Sequence, residues 1–336
     1  MGKMKRKGIF FTFISIVIVA VFLLVLTPQA DITLQKDTQA VRTKINTIDN
    51  YIESIEDSYL TTALKSSTFK TMLSLAYYMN TTGKFMTNLD PAFSEIIING
   101  TLNKVPVDSL TGKKIMDNNT LANWSLRIAN VGKDTYNAET NITIINTSVT
   151  QTDPWRLTSI LTVNISVKSS IADWKISKTI VATTSLEGLY DPYYLVNTVS
   201  MPSYGKRIRQ SNVPFDKWNI SQVRITLENS TYVYWKNTKA PSYLMRFVNN
   251  TNGSGCCGIE SFVDPNRISP SDQRGSYIDY AFWSYEYGHP DNCTKLFNIT
   301  NPATGGGIWD EFKYFKIDFS HLILYNVTSQ DAVRNC

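Results

Sequence analysis

The spacing of hydrophobic and polar positions changes character along the chain. Residues 9–26, IFFTFISIVIVAVFLLVL, hold nothing more polar than Thr12 and Ser15. At about 1.5 Å per residue this run makes about 27 Å of helix, close to the roughly 30 Å apolar core of a bilayer. Lys3, Lys5, Arg6 and Lys7 precede it, with no acid among them. Basic residues on that side place the N-terminus in the cytoplasm and the rest of the chain outside. The expectation is a single-pass cell-membrane protein that contacts lipid through residues 9–26, with its bulk extracellular. A cleaved secretory leader is the competing reading. Such a leader has an apolar region of about 7–15 residues before a small-x-small site, and the best exit here, Pro28-Gln29-Ala30, has proline at a small position.

Pro28 is expected to end or kink this first helix. From Asp31 to Met79 there is neither proline nor glycine. Apolar residues fall at Leu34, Val41, Ile45, Ile48, Ile52, Ile55 and Tyr59, and from Val41 the spacing alternates four and three. That is a heptad seam on a helical stalk. Two partners are open for it: the protein's own domain, or the stalks of neighbouring copies. Phe69, Met72, Leu73, Ala76 and Tyr77 continue the apolar face.

Beyond Asn80, glycines and prolines punctuate the chain and the period shifts to two. Residues 126–131, 141–146, 160–167 and 174–184 alternate, with a turn at Ser169–Asp173. Val163, Ile165 and Val167 share one face, so Asn164 points to solvent from a sheet covered on one side. Residues 201–205 read as a linker. The runs 222–227, 231–235, 243–248, 277–287 and 314–325 again read as strands. The pattern predicts a mainly β protein with an N-terminal α-helix, carrying two antiparallel β-sandwich-like domains after the stalk. The expected division is 1–30 basic tip and spanning helix, 31–79 stalk, 80–198 first β domain, and 199–336 second, disulfide-bonded and jelly-roll-like.

A 43% hydrophobic and 12% aromatic composition is ample for packed cores and excludes wholesale disorder. Four of the positive charges behind the net +5 lie at residues 3 to 7, leaving 5 − 4 = +1 beyond them. A near-neutral remainder offers no electrostatic footprint for nucleic acid. Fourteen Asn-x-Ser/Thr sequons occur, at Asn80, Asn99, Asn118, Asn123, Asn141, Asn146, Asn164, Asn219, Asn229, Asn249, Asn252, Asn292, Asn298 and Asn326. With 28 asparagines, chance predicts roughly five or six. All follow the apolar run, on the side where glycosylation enzymes act.

Lys5-Arg6-Lys7-Gly8 abutting an apolar helix resembles the class III signal of archaeal type IV pilin-like proteins. The resemblance covers about the first thirty residues. It implies cleavage between Gly8 and Ile9, retention of the hydrophobic helix, and packing of the stalk against copies of the chain or pilin-like subunits. The fifth residue after Gly8 is Phe13, where the bacterial pattern has glutamate.

The four cysteines, Cys256, Cys257, Cys293 and Cys336, all lie in the last region. Adjacent cysteines close a strained ring, so Cys256 and Cys257 are each expected to pair with Cys293 or Cys336, in either connectivity. A zinc site is disfavoured by the lack of a Cys-x-x-Cys pair. No cofactor or metal is implied. Of the two histidines, His289 and His321, the latter follows Ser320 in what reads as a strand, where neighbours face opposite ways. Gly305–Gly307 lacks the Lys-Ser/Thr of a phosphate loop. Glu260, Asp279, Glu286, Asp310 and Asp318 are the acids from which a glycosidase pair would come; no catalytic set stands out, and the expectation is a non-enzyme. The aromatic cluster Tyr277, Tyr280, Phe282, Trp283, Tyr285 and Tyr287 has two readings: rings filling a core, or a ligand surface for glycans built on Tyr277, Trp283, Tyr285 and Tyr287. The functional expectation is an N-glycosylated surface structural or adhesion protein, or a minor pilin-like subunit. The alternatives are a lectin-like carbohydrate-binding module and, third, an anchored glycoside hydrolase.

Overall fold

The computed structural model describes residues 7–197, 206–214, 217–236, 240–262, 278–279, 296–300, 315–328 and 332–334. It begins with α1 (Lys7–Ser54), which passes through one π turn (Ile55–Tyr59) into α2 (Leu60–Thr82). Ser54 and Leu60, at the junctions, both keep right-handed helical dihedrals, so the backbone runs on as one rod on the order of 110 Å long. Pro28 lies inside α1 rather than ending it. Gly83, at φ 64°, terminates the rod, and its N–H bonds back to Met79.

Around the second half of the rod fold α3 (Leu89–Asn99), a short hairpin of β1 (Thr101–Leu102) and β2 (Val105–Pro106), α4 (Val107–Thr111) and α5 (Leu121–Tyr136). A meander follows: β3 (Glu139–Asp153), β4 (Arg156–Lys168) and β5 (Asp173–Ser185), antiparallel throughout, with β4 central. Leu157, Leu161, Val163, Ile165 and Val167 of β4 are buried and Asn164 is exposed. The covered face packs on helices, chiefly α2 against β5 and both α3 and α5 against β3. Leu64, Met72, Leu75, Phe93 and Ile96 are sealed between these layers, each contributing about 1.5–3 kcal/mol of burial.

The remaining described segments are short: α6 (Pro192–Asn197), α7 (Ile220–Asn229), β6 (Tyr232–Tyr234), α8 (Tyr243–Phe247), β7 (Ile259–Ser261), β8 (Leu296–Ile299), β9 (Lys316–Asp318), α9 (Phe319–Leu324) and β10 (Ala332–Arg334). β6 pairs with β7, and β8 lies between β10 and β9. One hydrophobic core runs from Ile48 through the meander to Tyr232, Phe247 and Ile259. A second gathers Trp218, Val223, Trp235, Phe262, Phe315 and Tyr325.

The mainly β, two-sandwich expectation is therefore overturned. The protein is about 48% helix and 26% strand, with sheets of two or three strands. The physical reason is that helices, not a second sheet, cover the meander. Residues 126–131 alternate by coincidence: they lie in α5, whose buried Leu121, Ile128 and Gly132 follow the helical period and whose N-cap Thr120 accepts the Asn123 amide at 3.1 Å. Residues 222–227 sit in α7, capped by Asn219, and 243–247 form α8, capped by Ser242 and ended by Val248. Of the run 314–325, the described residues 316–324 split into β9 and α9 because Asp318 caps the amides of Ser320 and His321. No jelly roll is formed among the described residues.

The single-pass membrane expectation is overturned as well. Among the described residues, no helix is long and apolar enough to cross a membrane.

Candidate functional site

Among the described residues, the side chains from Phe11 to Leu23 and Val25 of the rod are exposed. Phe11 (72% exposed), Ile16 (64%), Phe22 (65%) and Val25 (57%) are open, and so are the consecutive Val17, Ile18 and Val19. Successive residues on a helix point about 100° apart, so exposure at three in a row means an apolar surface on every side rather than one stripe. The change comes at Ile48. Val41 is exposed and Ile45 half-buried, whereas Ile48, Ile52 and Ile55 are sealed in the core; Tyr59 is again exposed. The middle of the predicted heptad seam thus packs on the chain's own domain.

Several contacts fix the rod where it enters that domain. Trp174 Nε1 donates to Asp49 Oδ1 at 2.9 Å, Lys44 Nζ to Ser170 Oγ at 2.7 Å, and Lys178 pairs with Glu56. Tyr51 stacks on Tyr136 at 4.4 Å and donates to the Ile128 carbonyl at 2.8 Å. Gly132 allows the approach: a Cβ there would collide with Thr140 Oγ1 and Tyr51 OH.

Gly8 and Ile9 lie in the first turn of α1. Of the sequon asparagines, Asn80, Asn99, Asn118, Asn141, Asn146, Asn164, Asn219, Asn229, Asn249, Asn252 and Asn326 are exposed, and Asn123 and Asn298 are half-buried. None of these thirteen is buried. Asn292 lies outside the described residues, as do Cys293, Cys336, His289, Gly305–Gly307, Glu286, Asp310, the linker 201–205 and the aromatics Tyr277, Tyr280, Phe282, Trp283, Tyr285 and Tyr287. The pairing expected for Cys256 and Cys257 is corrected: they are bonded to each other. They sit in the loop after α8, with Cys257 Sγ 3.4 Å from the Gln151 carbonyl.

The remaining candidate acids, Asp279, Glu260 and Asp318, lie in two buried charged groups that sequence reasoning missed. Arg246 Nη1 donates to Asp191 Oδ2 and to Asp279 Oδ2, both at 2.7 Å, and all three side chains are fully buried. Tyr232 also donates to Asp191, at 2.8 Å. Lys206, itself buried, bonds Ser261 Oγ and the Phe262 carbonyl and lies 4.9 Å from the rings of Tyr194 and Tyr232. Burial pushes the Asp279 carboxyl up to about 6 against the opposing pull of Arg246. Burial would lower Arg246, but Asp191 and Asp279 outweigh it and hold the guanidinium well above its ordinary value.

A second group adjoins it. His321 Nδ1 meets Asp318, its Nε2 lies 3.4 Å from Glu260, and Tyr325 donates to Glu260 at 2.8 Å. Burial alone would push His321 down; Glu260 and Asp318 overcome it and hold the imidazole at about 10. His321 and Ser320 lie on α9, not on a strand. Glu260, Asp279 and Asp318 each meet an internal cation or phenol, which ties separate segments of the chain together. Asp191, Arg246 and Asp279 lie 55 and 33 positions apart, and no local motif marks them.

No family model, curated protein or solved structure matches the chain.

Proposed function

We propose that this chain is a glycosylated surface structural subunit that assembles with copies of itself through the projecting half of α1, in the manner its N-terminus shares with archaeal type IV pilin-like proteins. The observation that carries the reading is exposure of Val17, Ile18 and Val19 together on a helix whose other half is anchored in a core. Scattered apolar side chains on a surface need no explanation, but a contiguous apolar surface of this extent marks an interaction site. Other copies of the same helix supply a matching surface: i±3 and i±4 ridges interdigitate, and burial of apolar area drives association at about 25 cal/mol per Å². The exposed sequons fit a body that faces outward from such a bundle, with glycans clear of the helix.

The test compares the full chain with a form lacking residues 9–25. Negative-stain electron microscopy and light scattering should show the full chain in multimers or filaments and the shortened form as monomers. Equal, monomeric behaviour of both removes the proposal.

A further inference from the structure

Two adjoining cavities lie around residues 209–235. A cleft of about 520 Å³ is lined by Arg209, Lys217, Gln222 and Asn229 among others. A smaller one of about 140 Å³ is walled by Trp155, Trp218, Tyr234 and Trp235. Gln210, Ser211 and Val213 line both, so the two are one groove with a polar arm and an aromatic arm. Its larger arm falls within the roughly 300–1,000 Å³ that ligand pockets span.

We propose that this groove binds a saccharide carrying carboxylate or sulfate groups, a site independent of the assembly described above. Trp155 and Tyr234 are half-exposed and turn toward the small arm, whereas Trp218 and Trp235 are buried and form its floor. The floor is fixed, because Trp235 Nε1 donates to Tyr325 OH at 2.9 Å and Asn326 Nδ2 to the Trp218 carbonyl at 3.2 Å. Aromatic faces carry negative potential and meet the polarised C–H faces of a pyranose, while the ring edges and side-chain amides reach its hydroxyls. Gln210 and Gln222 supply such amides.

The charge of the groove selects the sugar. Arg209 and Lys217 are exposed and make no side-chain hydrogen bond or ion pair among the described residues, so both are free for an anion. Among the described residues that line the two arms there is no carboxylate. Glu187 accepts the backbone amide of the lining residue Gln210 at 3.2 Å. A guanidinium fork matches a planar carboxylate or a sulfate, and the ammonium adds a point charge.

There are two sources for such a saccharide. Asn229 ends α7 within the groove and begins the sequon Asn229-Ser230-Thr231. A glycan there would start inside the polar arm and act as a tethered ligand at high effective concentration. A free or neighbouring acidic glycan is the other source.

The experiment titrates full-length protein with trigalacturonate and with neutral maltotriose, read by tryptophan fluorescence and calorimetry. Protein from a non-glycosylating host should bind trigalacturonate at least about tenfold more tightly than maltotriose. Arg209→Ala/Lys217→Ala should erase that preference, and Arg209→Lys/Lys217→Arg should retain most of it, which separates charge from misfolding. In protein from a glycosylating host, weak binding restored by Asn229→Gln identifies the tethered glycan as occupant; equal binding with and without that change identifies a free one. Absence of trigalacturonate binding in the unglycosylated protein overturns the proposal, as does binding that Arg209→Ala/Lys217→Ala leaves unchanged.

Discussion

Arg246 donates to Asp191 at 2.7 Å with both side chains at zero exposure, and the same nitrogen reaches Asp279 at the same distance. This joins the segment that leaves the meander, α8 and residue 279, three stretches with no contiguous sequence between them. Removing the cation strands two carboxyls in the core. Arg246→Met should therefore lower unfolding stability by about 3–5 kcal/mol. Breaking the exposed Arg224–Glu228 pair of α7 by Arg224→Met should cost about 0.5 kcal/mol or less, because both partners are open to solvent. Urea denaturation of the two variants checks the contrast.

The His321 group makes stability depend on pH. The folded imidazole titrates at about 10, against about 6.5 unfolded. Between those values the native state holds a proton that the unfolded chain releases, so stability falls as pH rises from about 6.5 toward 10. Asp279, raised to about 6 from its ordinary 3.8, acts in the same direction over a separate window, between about 4 and 6. Denaturation midpoints measured from pH 6.5 to 10 should decline in the native chain. The slope should flatten in His321→Gln.

Close approach at Gly132 gives a third expectation. Its missing side chain leaves room for Tyr51 OH, which a Cβ would meet at 2.7 Å, and for Thr140 Oγ1. Gly132→Ala raises helix propensity but forces the rod away from α5. The steric term should win, destabilising by about 1–3 kcal/mol in thermal or urea unfolding. A net gain in stability would show that the junction yields easily.

Parts of this architecture were legible from local pattern alone. The strict alternation of residues 160–167 and 174–184 gave two long strands, and the four–three spacing of Ile48, Ile52 and Ile55 gave the buried face of the rod. The helices α5, α7 and α8 were not legible, because five or six residues of alternating character fit a strand as well as a helix. Their caps, Thr120, Asn219 and Ser242, were the available signal. A second sheet was inferred over the meander because strand texture says that one face is covered, not what covers it. Cys256 and Cys257 defied the strained-ring expectation. The charged cluster and the groove lay beyond local reading altogether. Trp155, Trp218 and Trp235 converge from the β3–β4 turn, the approach to α7 and the end of β6, and chain order carries no trace of that meeting.

The Gly8–Ile9 bond yields a fourth expectation, from Lys5-Arg6-Lys7-Gly8 directly before the apolar run. Mass spectrometry of protein from its native source should find Ile9 as the first residue. An intact Met1 or Gly2 terminus would remove the processing step while leaving helix-mediated assembly standing.

Assembly through α1 is most directly tested by site-specific photo-cross-linking. A benzophenone side chain placed at Phe13 or Phe22 of the full chain should join residues 11–25 of one copy to residues 11–25 of another, mapped by mass spectrometry. A probe at the buried Phe93 should give no cross-link between copies. Absence of cross-links between copies from both α1 positions, under conditions where the protein is at high concentration, would contradict a self-assembling subunit.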